Sequence, residues 1–566
     1  MEKSVKIEDY SETPVTKQMS EEIENGGLND PNHVGLQRAL KARHITMIAI
    51  GGAIGTGLII GTGEALAKAG PGAILISYAW VGFIVYLVMC ALGEMAAWLP
   101  LPSGFTGYAV RFCDPALGFT LGWTYWFKYI ILSPNQMTAG AMVIAYWIPP
   151  EKVNAGVWIT IFLVIVVAIN YFGVKFFGEF EFWLSSFKVV VIVGLILLSF
   201  ILMLGGGPDH DRKGFRYWKS PGAFNTYVME GAPGRFLAFW STMVSATFAY
   251  LGTELVGVTV GEAQNPRKTI PRAIKLTFYR ILVFYVVSVL LVGTLVPYNS
   301  PKLLFALGSD NKAKGSAAAS PFVVAIELAT IPILPHILNA CILLFVFSAA
   351  NSDLYIATRT IYGLAREGKA PKIFARTDRR GVPVYALAIS SVIALLAYMN
   401  VSSDAKTIFK YFVNLVSIFG LLTWISILVT HIYFVRARKA QNIPDESLAY
   451  KAPFGAAGSY FALAFCIIVA LTKNFDVFIH KPESYGNFDY KNFITAYLGI
   501  PLYLIMIFGY KLVTRCKGVD PATADLFTGK DEIDREEALY LARKETEAEK
   551  HNDASWFYKN FVSWLF

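Results

Sequence analysis

Long runs of uncharged apolar residues are the feature that most limits how this chain can fold. Segments 71–93, 189–208 and 415–435 are examples. About 20 apolar residues cross a bilayer as an α-helix, whereas the strands of a membrane barrel give short alternating segments. Only 16% of the residues are charged, against about 25% in a typical soluble protein. We therefore expect an all-α polytopic membrane protein.

Hydropathy divides residues 45–514 into twelve predicted membrane spans. In chain order they cover about 45–70, 74–98, 118–147, 156–174, 182–204, 236–262, 276–297, 332–358, 382–400, 409–435, 459–479 and 493–513. Residues 1–44 and 515–566 are too polar to span and are predicted to be cytosolic tails. The first tail lacks the apolar core of a signal peptide.

Basic residues predict the orientation of the spans, because cytosolic loops carry more lysine and arginine than outer loops do. Segments 38–43, 267–275, 359–380 and 436–439 are rich in both, which places the two termini in the cytosol. Loop 205–235 is an exception, since it carries five basic residues on the predicted outer side. Aspartates in the same loop offset part of this positive charge, so the loop is a weaker argument against the predicted orientation.

The first span is heavily interrupted by glycine. Residues 49–63, AIGGAIGTGLIIGTG, carry six glycines, and span six has a second interruption in ATFAYLGTELVG at 246–257. These spans begin two predicted five-span repeats, about 45–204 and 236–435, which two extra helices follow at 459–513. Paired interruptions at matching positions of two repeats indicate a transporter binding site, because unwound backbone in lipid needs a polar ligand.

Unwound backbone offers groups that match both ends of an amino acid. Carbonyls freed in the two breaks suit an ammonium, and amides beside the positive end of the following half-helix suit a carboxylate. The amides expected to bind the carboxylate belong to Ile54, Gly55, Thr56 and Gly57. Close helix packing is the alternative for these glycines, and it is the preferred interpretation for Gly61 and Gly63.

Other kinds of site find little support. GTGLIIG at 55–61 is close to a dinucleotide-binding fingerprint, but no βαβ pattern surrounds it. The five cysteines lack C-x-x-C spacing, and no metal-ligand or catalytic constellation is present. We therefore expect no enzyme activity, no cofactor, no metal and no nucleic-acid partner.

Three segments resemble the fungal amino acid permeases of the amino acid–polyamine–organocation superfamily. They are LKARHITMIAIGGAIGTGLIIGTG at 40–63, AYLGTELVGVTVGEAQNPRKTIPRAIK at 249–275 and FSAANSDLYIATRTIYGLAREGKAPK at 347–372. The resemblance covers about residues 36–515. It implies a LeuT-like fold of two inverted five-span repeats with broken spans one and six, and amino acid uptake across the plasma membrane.

A narrower resemblance points to the dicarboxylic amino acid permeases, which import glutamate and aspartate with protons. FKYIILSPNQMTA, VKFFGEFEFWLSSFKV and LGGGPDHDRKGFRYW carry it. In the commoner permease pattern, an uncharged amide stands at Lys128 and a glutamate at Gln136. Both differences raise the local potential, which favours a substrate with a second carboxylate. The alternative is that Lys128 pairs with a protein carboxylate such as Glu254.

Energy coupling is assigned to Lys188 and Glu254. The resemblance implies that the ammonium of Lys188 replaces the sodium ion of sodium-coupled relatives between spans one, five and eight. The alternative is a lysine that snorkels to the membrane interface. Glu254 lies within the span-six break, where an ionisable residue suggests gating or proton handling.

Further residues are expected to complete the substrate site or its surroundings. Phe248 is either an aromatic gate or a packing residue, and Ala249 and Gly252 belong to the same break. The polar run 351–353 in span eight either completes the site or packs. Glu262 is expected to form an ion pair on the cytosolic side. Glu94 has either a structural role at the membrane interface or a role in coupling. The charged run 531–549 is predicted to be a solvated helix.

The leading interpretation is proton-coupled uptake of acidic amino acids, mainly L-glutamate and L-aspartate. A broad-range or neutral amino acid permease and a non-transporting amino acid sensor on the same scaffold are the alternatives. The short tails favour transport, because such sensors tend to have long cytosolic extensions. Expected partners are the substrate, protons, membrane lipids, and trafficking or ubiquitination machinery acting on the tails.

Overall fold

The computed structural model describes residues 55–101, 103–172, 177–258, 266–307, 320–401, 405–479, 488–531, 533–535 and 538. Every regular element in these residues is a helix. Within this described part of the chain, eight helices are individually long and apolar enough to cross a membrane, and the bent pair Tyr490–Tyr497 and Gly499–Thr514 makes a ninth. The all-α polytopic class is therefore confirmed.

The remaining three predicted spans do not pass as single apolar helices, for different reasons. Span one begins outside the described residues and continues as a π-helical segment, Gly57–Gly61, and an α-helix, Thr62–Ala69. Span three, Pro115–Ile144, is helical throughout but carries Lys128 and other polar residues. Span six is broken into Gly231–Ser241, Met243–Tyr250 and Leu255–Val258.

The other nine spans follow the predicted order. Their helices are Pro71–Trp98 (span two), Ala155–Phe172 (span four), Phe177–Met203 (span five), Pro266–Leu295 with a π-helical stretch Ile281–Val287 (span seven), Leu334–Arg366 (span eight), Val384–Val401 (span nine), Ala405–Ala440 (span ten), Gly455–Thr472 (span eleven) and Tyr490–Thr514 (span twelve). Span three packs most extensively against spans eight and ten, which places it at the centre of the bundle.

The break in span six has a specific backbone geometry. Helical backbone stops at Tyr250, Leu251 is extended with ψ at 145°, and Gly252 has φ at +91°. A residue with a side chain is disfavoured at such a φ, so glycine suits this turn. Helical bonding resumes when the Leu255 amide donates to the Gly252 carbonyl at 3.1 Å. The predicted interruption of span six is confirmed.

Several features were not predicted. A short helix, Gly104–Phe112, lies between spans two and three, and two more, Pro301–Leu307 and Pro321–Leu328, lie between spans seven and eight. Part of the C-terminal tail packs against the rest of the protein, with the Leu526 side chain fully buried. The exceptional loop after span five pairs much of its charge locally, through Lys213 with Asp209 and Arg216 with Asp211.

Candidate substrate site and the cavity above it

The two interrupted spans meet at Gly57. A Cβ added to Gly57 would lie 2.6 Å from the Ala249 Cα and 3.1 Å from a ring carbon of Phe248. Gly57 therefore allows span one to approach the end of the span-six helix. Gly55 differs, because it lies in a bend and an added Cβ would meet nothing within 4 Å. Ile54 lies outside the described residues, so the unwound stretch before Gly55 stays a prediction.

The prediction that Gly61 packs closely against another helix is wrong. Close packing against another helix was the preferred interpretation, yet no atom lies within 4 Å of the position that its Cβ would take. Gly61 instead lines an open cavity, which is described below. The close contact that the glycine pattern suggested is made by Gly57.

A hydrogen-bonded chain connects span one to spans three and eight. The Thr56 hydroxyl donates to the Gln136 side-chain oxygen at 3.1 Å, and the Gln136 amide donates to an Asp353 carboxylate oxygen at 3.2 Å. All three side chains are buried. These hydrogen bonds place the predicted site residues Thr56 and Gln136 in one polar network, which also includes Asp353.

Lys128 pairs with Glu254 across the span-six break. Both side chains are fully buried, and the ammonium donates to a Glu254 carboxylate oxygen. Trp424 of span ten donates its indole N–H to the other oxygen at 3.3 Å. The ammonium also lies 4.6 Å from the centre of the Tyr129 ring. This is the pairing that the sequence offered as the alternative to direct substrate contact.

A second buried cation lies next to the break. Arg280 of span seven is 2% exposed, and its guanidinium donates to the Thr253 hydroxyl at 2.9 Å. The sequence pattern did not single out Arg280, because it stands near the end of a basic segment and looks like part of the cytosolic loop. The break thus has two cations beside the carboxylate of Glu254.

Lys188 of span five is 1% exposed, so it does not snorkel to the interface. Its ammonium is 3.9 Å from a carboxylate oxygen of Glu181, which lies about two helical turns earlier in the same span. Glu181 also accepts hydrogen bonds from Ser185, Ser348 and Ser352 at 3.0, 3.3 and 2.8 Å. Glu181 was not predicted; its signal was a carboxylate seven residues before a lysine within one apolar helix.

The polar run in span eight divides between three neighbours. Asn351 accepts from Asn170 of span four at 3.0 Å, Ser352 donates to Glu181 of span five, and Asp353 accepts from Gln136 of span three. Successive helical residues point about 100° apart, so one short run can reach three different spans.

A cavity of about 60 Å³ opens above the break, on the outer side in the predicted orientation. It is bounded by the second half of span one, the first half of span six, the start of span ten and the end of span eleven. Phe248 lines it and packs edge-to-face against Phe409 with ring centres 6.1 Å apart. Phe248 therefore lies between this outer cavity and Gly57, where a gate would stand.

Two further predicted residues lie away from this site. Glu94 is buried and accepts from Arg438 at 3.3 Å and from the Ala452 amide at 2.8 Å, which fits the structural alternative. Glu262 lies outside the described residues. Among the residues that the structure describes, no group of His, Cys, Asp and Glu side chains is arranged to hold a metal ion.

Comparison with known proteins now bears on these features. The profile of the family described as "Amino acid permease" matches residues 44–520. The chain belongs to the amino acid permease family. Its predicted family resemblance is thereby confirmed.

Relatives of this permease have several named specificities. It is 56% identical over 538 residues to the dicarboxylic amino acid permease of Saccharomyces cerevisiae, which covers 94% of this chain and 87% of the relative. It is 40% identical to the proline-specific permease of Emericella nidulans, over 89% and 90% of the two chains. It is also 40% identical to the lysine-specific permease of S. cerevisiae, over 85% and 76%.

Among solved structures, the permease is similar to the nucleobase–cation symport transporter Mhp1, in a closed conformation with a hydantoin bound. Sequence identity is 16% and the TM-score is 0.43, with 90% of this chain and 100% of the other covered.

Proposed function

We propose that this permease imports acidic amino acids, L-glutamate and L-aspartate, across the plasma membrane together with protons. The observation that carries the proposal is a balanced set of six buried ionisable side chains among the described residues, at the span-six break and on spans five and eight. The cations are Lys128, Lys188 and Arg280, and the carboxylates are Glu181, Glu254 and Asp353; none is more than 6% exposed.

The charge balance links the proton to the substrate. In their ordinary ionised forms the three cations and three carboxylates sum to zero, and one proton taken into the set makes it +1. Glutamate or aspartate carries a net charge of −1, so proton and substrate together restore neutrality. A buried net charge is strongly unfavourable. If a neutral amino acid or lysine bound together with the proton, the buried set and its substrate would keep a net positive charge.

The proton is assigned to the Lys188–Glu181 pair. Glu254 is already committed to Lys128 and Trp424, whereas Lys188 and Glu181 are 3.9 Å apart and surrounded by serine hydroxyls. A desolvated ammonium next to a carboxylate can exchange a proton within the pair. The similarity to a relative named as a dicarboxylic amino acid permease supports the same substrate class.

The test is uptake of radiolabelled glutamate, aspartate, lysine and leucine in cells that lack endogenous permeases. We expect uptake of the two acidic amino acids to exceed that of leucine and lysine and to rise as the external pH falls. Replacing sodium with choline should leave it unchanged. Faster uptake of leucine or lysine would contradict the proposed substrate class, and uptake that required sodium would contradict proton coupling.

A further inference from the structure

The outer cavity contains buried polar groups that have no partner in the described part of the chain. Asn414 and Asn474 both line the cavity, and the side-chain nitrogen of the first and the side-chain oxygen of the second are buried without a hydrogen bond. The two side chains are only 2% and 5% exposed. Buried polar groups in native proteins are almost always satisfied. An unpaired donor and an unpaired acceptor at one cavity indicate a ligand that supplies both.

The cavity also holds cations with unused capacity. Lys473 is 2% exposed, and its ammonium donates to the backbone carbonyl of Asn414 at 2.9 Å. An ammonium has three donors, so others remain for a ligand. Lys410 lines the same cavity and pairs with no carboxylate among the described residues. Asp476 is already engaged, because it accepts from the Tyr227 hydroxyl at 3.0 Å.

We propose that the outer cavity is a second binding site for an amino acid, which captures the substrate before Phe248 admits it to the break. The substrate's carboxylates bind at Lys473, Asn414 and Lys410, and its ammonium binds at the Asn474 oxygen. The site rests on the proposed function for its preference for acidic substrates. It uses span eleven, which lies outside the two five-span repeats.

Equilibrium binding counts the sites directly. The full-length protein is purified into lipid nanodiscs and titrated with radiolabelled L-aspartate. We expect two equivalents bound to the wild-type protein. We expect only one, with its affinity unchanged, bound to Asn414→Asp, which keeps the side-chain shape but repels an anion. Lys473→Met should likewise lose one equivalent. Lys219→Met, at an exposed lysine outside the cavity, is the matched control and should keep two.

Several results would overturn the outer site. These are a single equivalent in the wild-type protein, two equivalents in both cavity variants, or loss of all binding in both. Unlabelled phosphate serves as a competitor: displacement of only the outer equivalent by phosphate as effectively as by glutamate would make the cavity a general anion site and contradict an amino acid site. Two equivalents of leucine and none of aspartate would refute the proposed acidic substrate while leaving the outer site standing.

Discussion

Single glycines in span one have separate physical roles. At Gly57 the backbone of span six is so close that a side chain cannot be added without displacement, whereas at Gly55 there is open space on the side where a Cβ would point. Packing therefore restricts the first position, whereas the second has the open space that the proposed carboxylate contact needs.

Substitution at these two glycines should separate folding from transport. We expect Gly57→Val to destabilise the protein by at least about 1–3 kcal/mol, the usual effect of overpacking, and to lower its amount at the cell surface. Gly55→Leu should reach the surface at the wild-type level but lose uptake, because its side chain fills the open space. Gly61→Ala, which also has room, is the control and should behave as wild type. Normal uptake by Gly55→Leu would contradict a substrate at this position.

The Lys128–Glu254 pair makes selectivity testable at the residue scale. Lys128→Asn leaves the carboxylate of Glu254 without its cation, and breaking a buried pair costs about 3–5 kcal/mol. It also makes the buried set net negative, so uptake of glutamate should fall far more than that of a neutral amino acid. Adding Glu254→Gln restores neutrality and should rescue both stability and part of the glutamate uptake.

Surface expression and uptake of labelled glutamate and leucine measure both effects. Equal loss for the two substrates in Lys128→Asn would mean that the pair is only structural. A double variant that is stable but still fails to transport glutamate would mean that the ammonium itself contacts substrate.

The site was only partly predictable because sequence reveals charges in apolar segments but not their partners. Lys128 and Lys188 stood out since each interrupts a long apolar run. Arg280 and Glu181 lie near the ends of spans, where charge is common, and only the folded arrangement shows that they are buried. The pairing of Lys128 with Glu254 joins residues 126 positions apart and was only one of two alternatives.

At the scale of elements, spans five and eight together hold the proposed proton site. Glu181 and Lys188 belong to span five, and hydroxyls from span eight hold Glu181 in place. Any movement of one span against the other therefore changes the environment of the proton site. Alternating access in transporters built from inverted repeats is largely a movement of one repeat or bundle against the other.

Neutralising Glu181 should disconnect transport from the proton. Glu181→Gln fixes the buried set at +1, the charge that a bound proton otherwise provides. We expect glutamate exchange across the membrane to persist, while accumulation driven by a pH gradient is lost. Glu179→Gln, at an exposed glutamate of the same span, is the matched control and should accumulate normally. Proton-driven accumulation by Glu181→Gln at the wild-type level would contradict this assignment.

The spans themselves were predictable because each is set by a local property, the length of an apolar run. Predicted boundaries such as 74–98 and 118–147 differ from the helices Pro71–Trp98 and Pro115–Ile144 by only a few residues. The helix Gly104–Phe112 was missed because nine residues are too short to span and give little periodic signal. The bend of 43° in span twelve falls just before Gly499 and Pro501, where proline removes a helical hydrogen bond. Hydropathy alone did not reveal it, because both residues lie inside one apolar run.

At the scale of the whole molecule, part of the C-terminal tail binds across the predicted cytosolic side. Arg111 donates to the Asp525 carboxylate and to the Thr528 carbonyl, both at 2.6 Å, and Trp98 donates to the Leu526 carbonyl at 2.9 Å. Asp534 further along pairs with Arg267 at the start of span seven. The segment therefore connects the two halves of the transporter.

Acidity in the cytosolic range should not release this contact. Burial would raise the pKa of Asp525, but hydrogen bonds from Thr528 and Arg111 outweigh burial and hold the pKa below its ordinary value. A lowered carboxyl pKa contributes stability above the ordinary pKa of about 3.9, which is lost only as the pH falls through the lower folded value. We expect the tail to stay bound between about pH 5 and 8.

Removing the anchor tests whether the tail stabilises the fold. Arg111→Gln deletes charge-assisted hydrogen bonds, each of which contributes about 1.5–3 kcal/mol when buried and less here because Asp525 is half exposed. We expect a melting temperature a few degrees lower in detergent, with Lys517→Gln, at an exposed lysine of the same tail, as the control. An unchanged melting temperature would contradict a stabilising role.

Transport by the purified protein tests the central claim most directly. The protein is reconstituted into proteoliposomes, and uptake of labelled L-glutamate is measured with and without an inward proton gradient, in sodium and in choline buffers. We expect glutamate accumulation that depends on the proton gradient, is indifferent to sodium and exceeds that of leucine and lysine. Accumulation that requires sodium, or that favours leucine or lysine over glutamate, would contradict it.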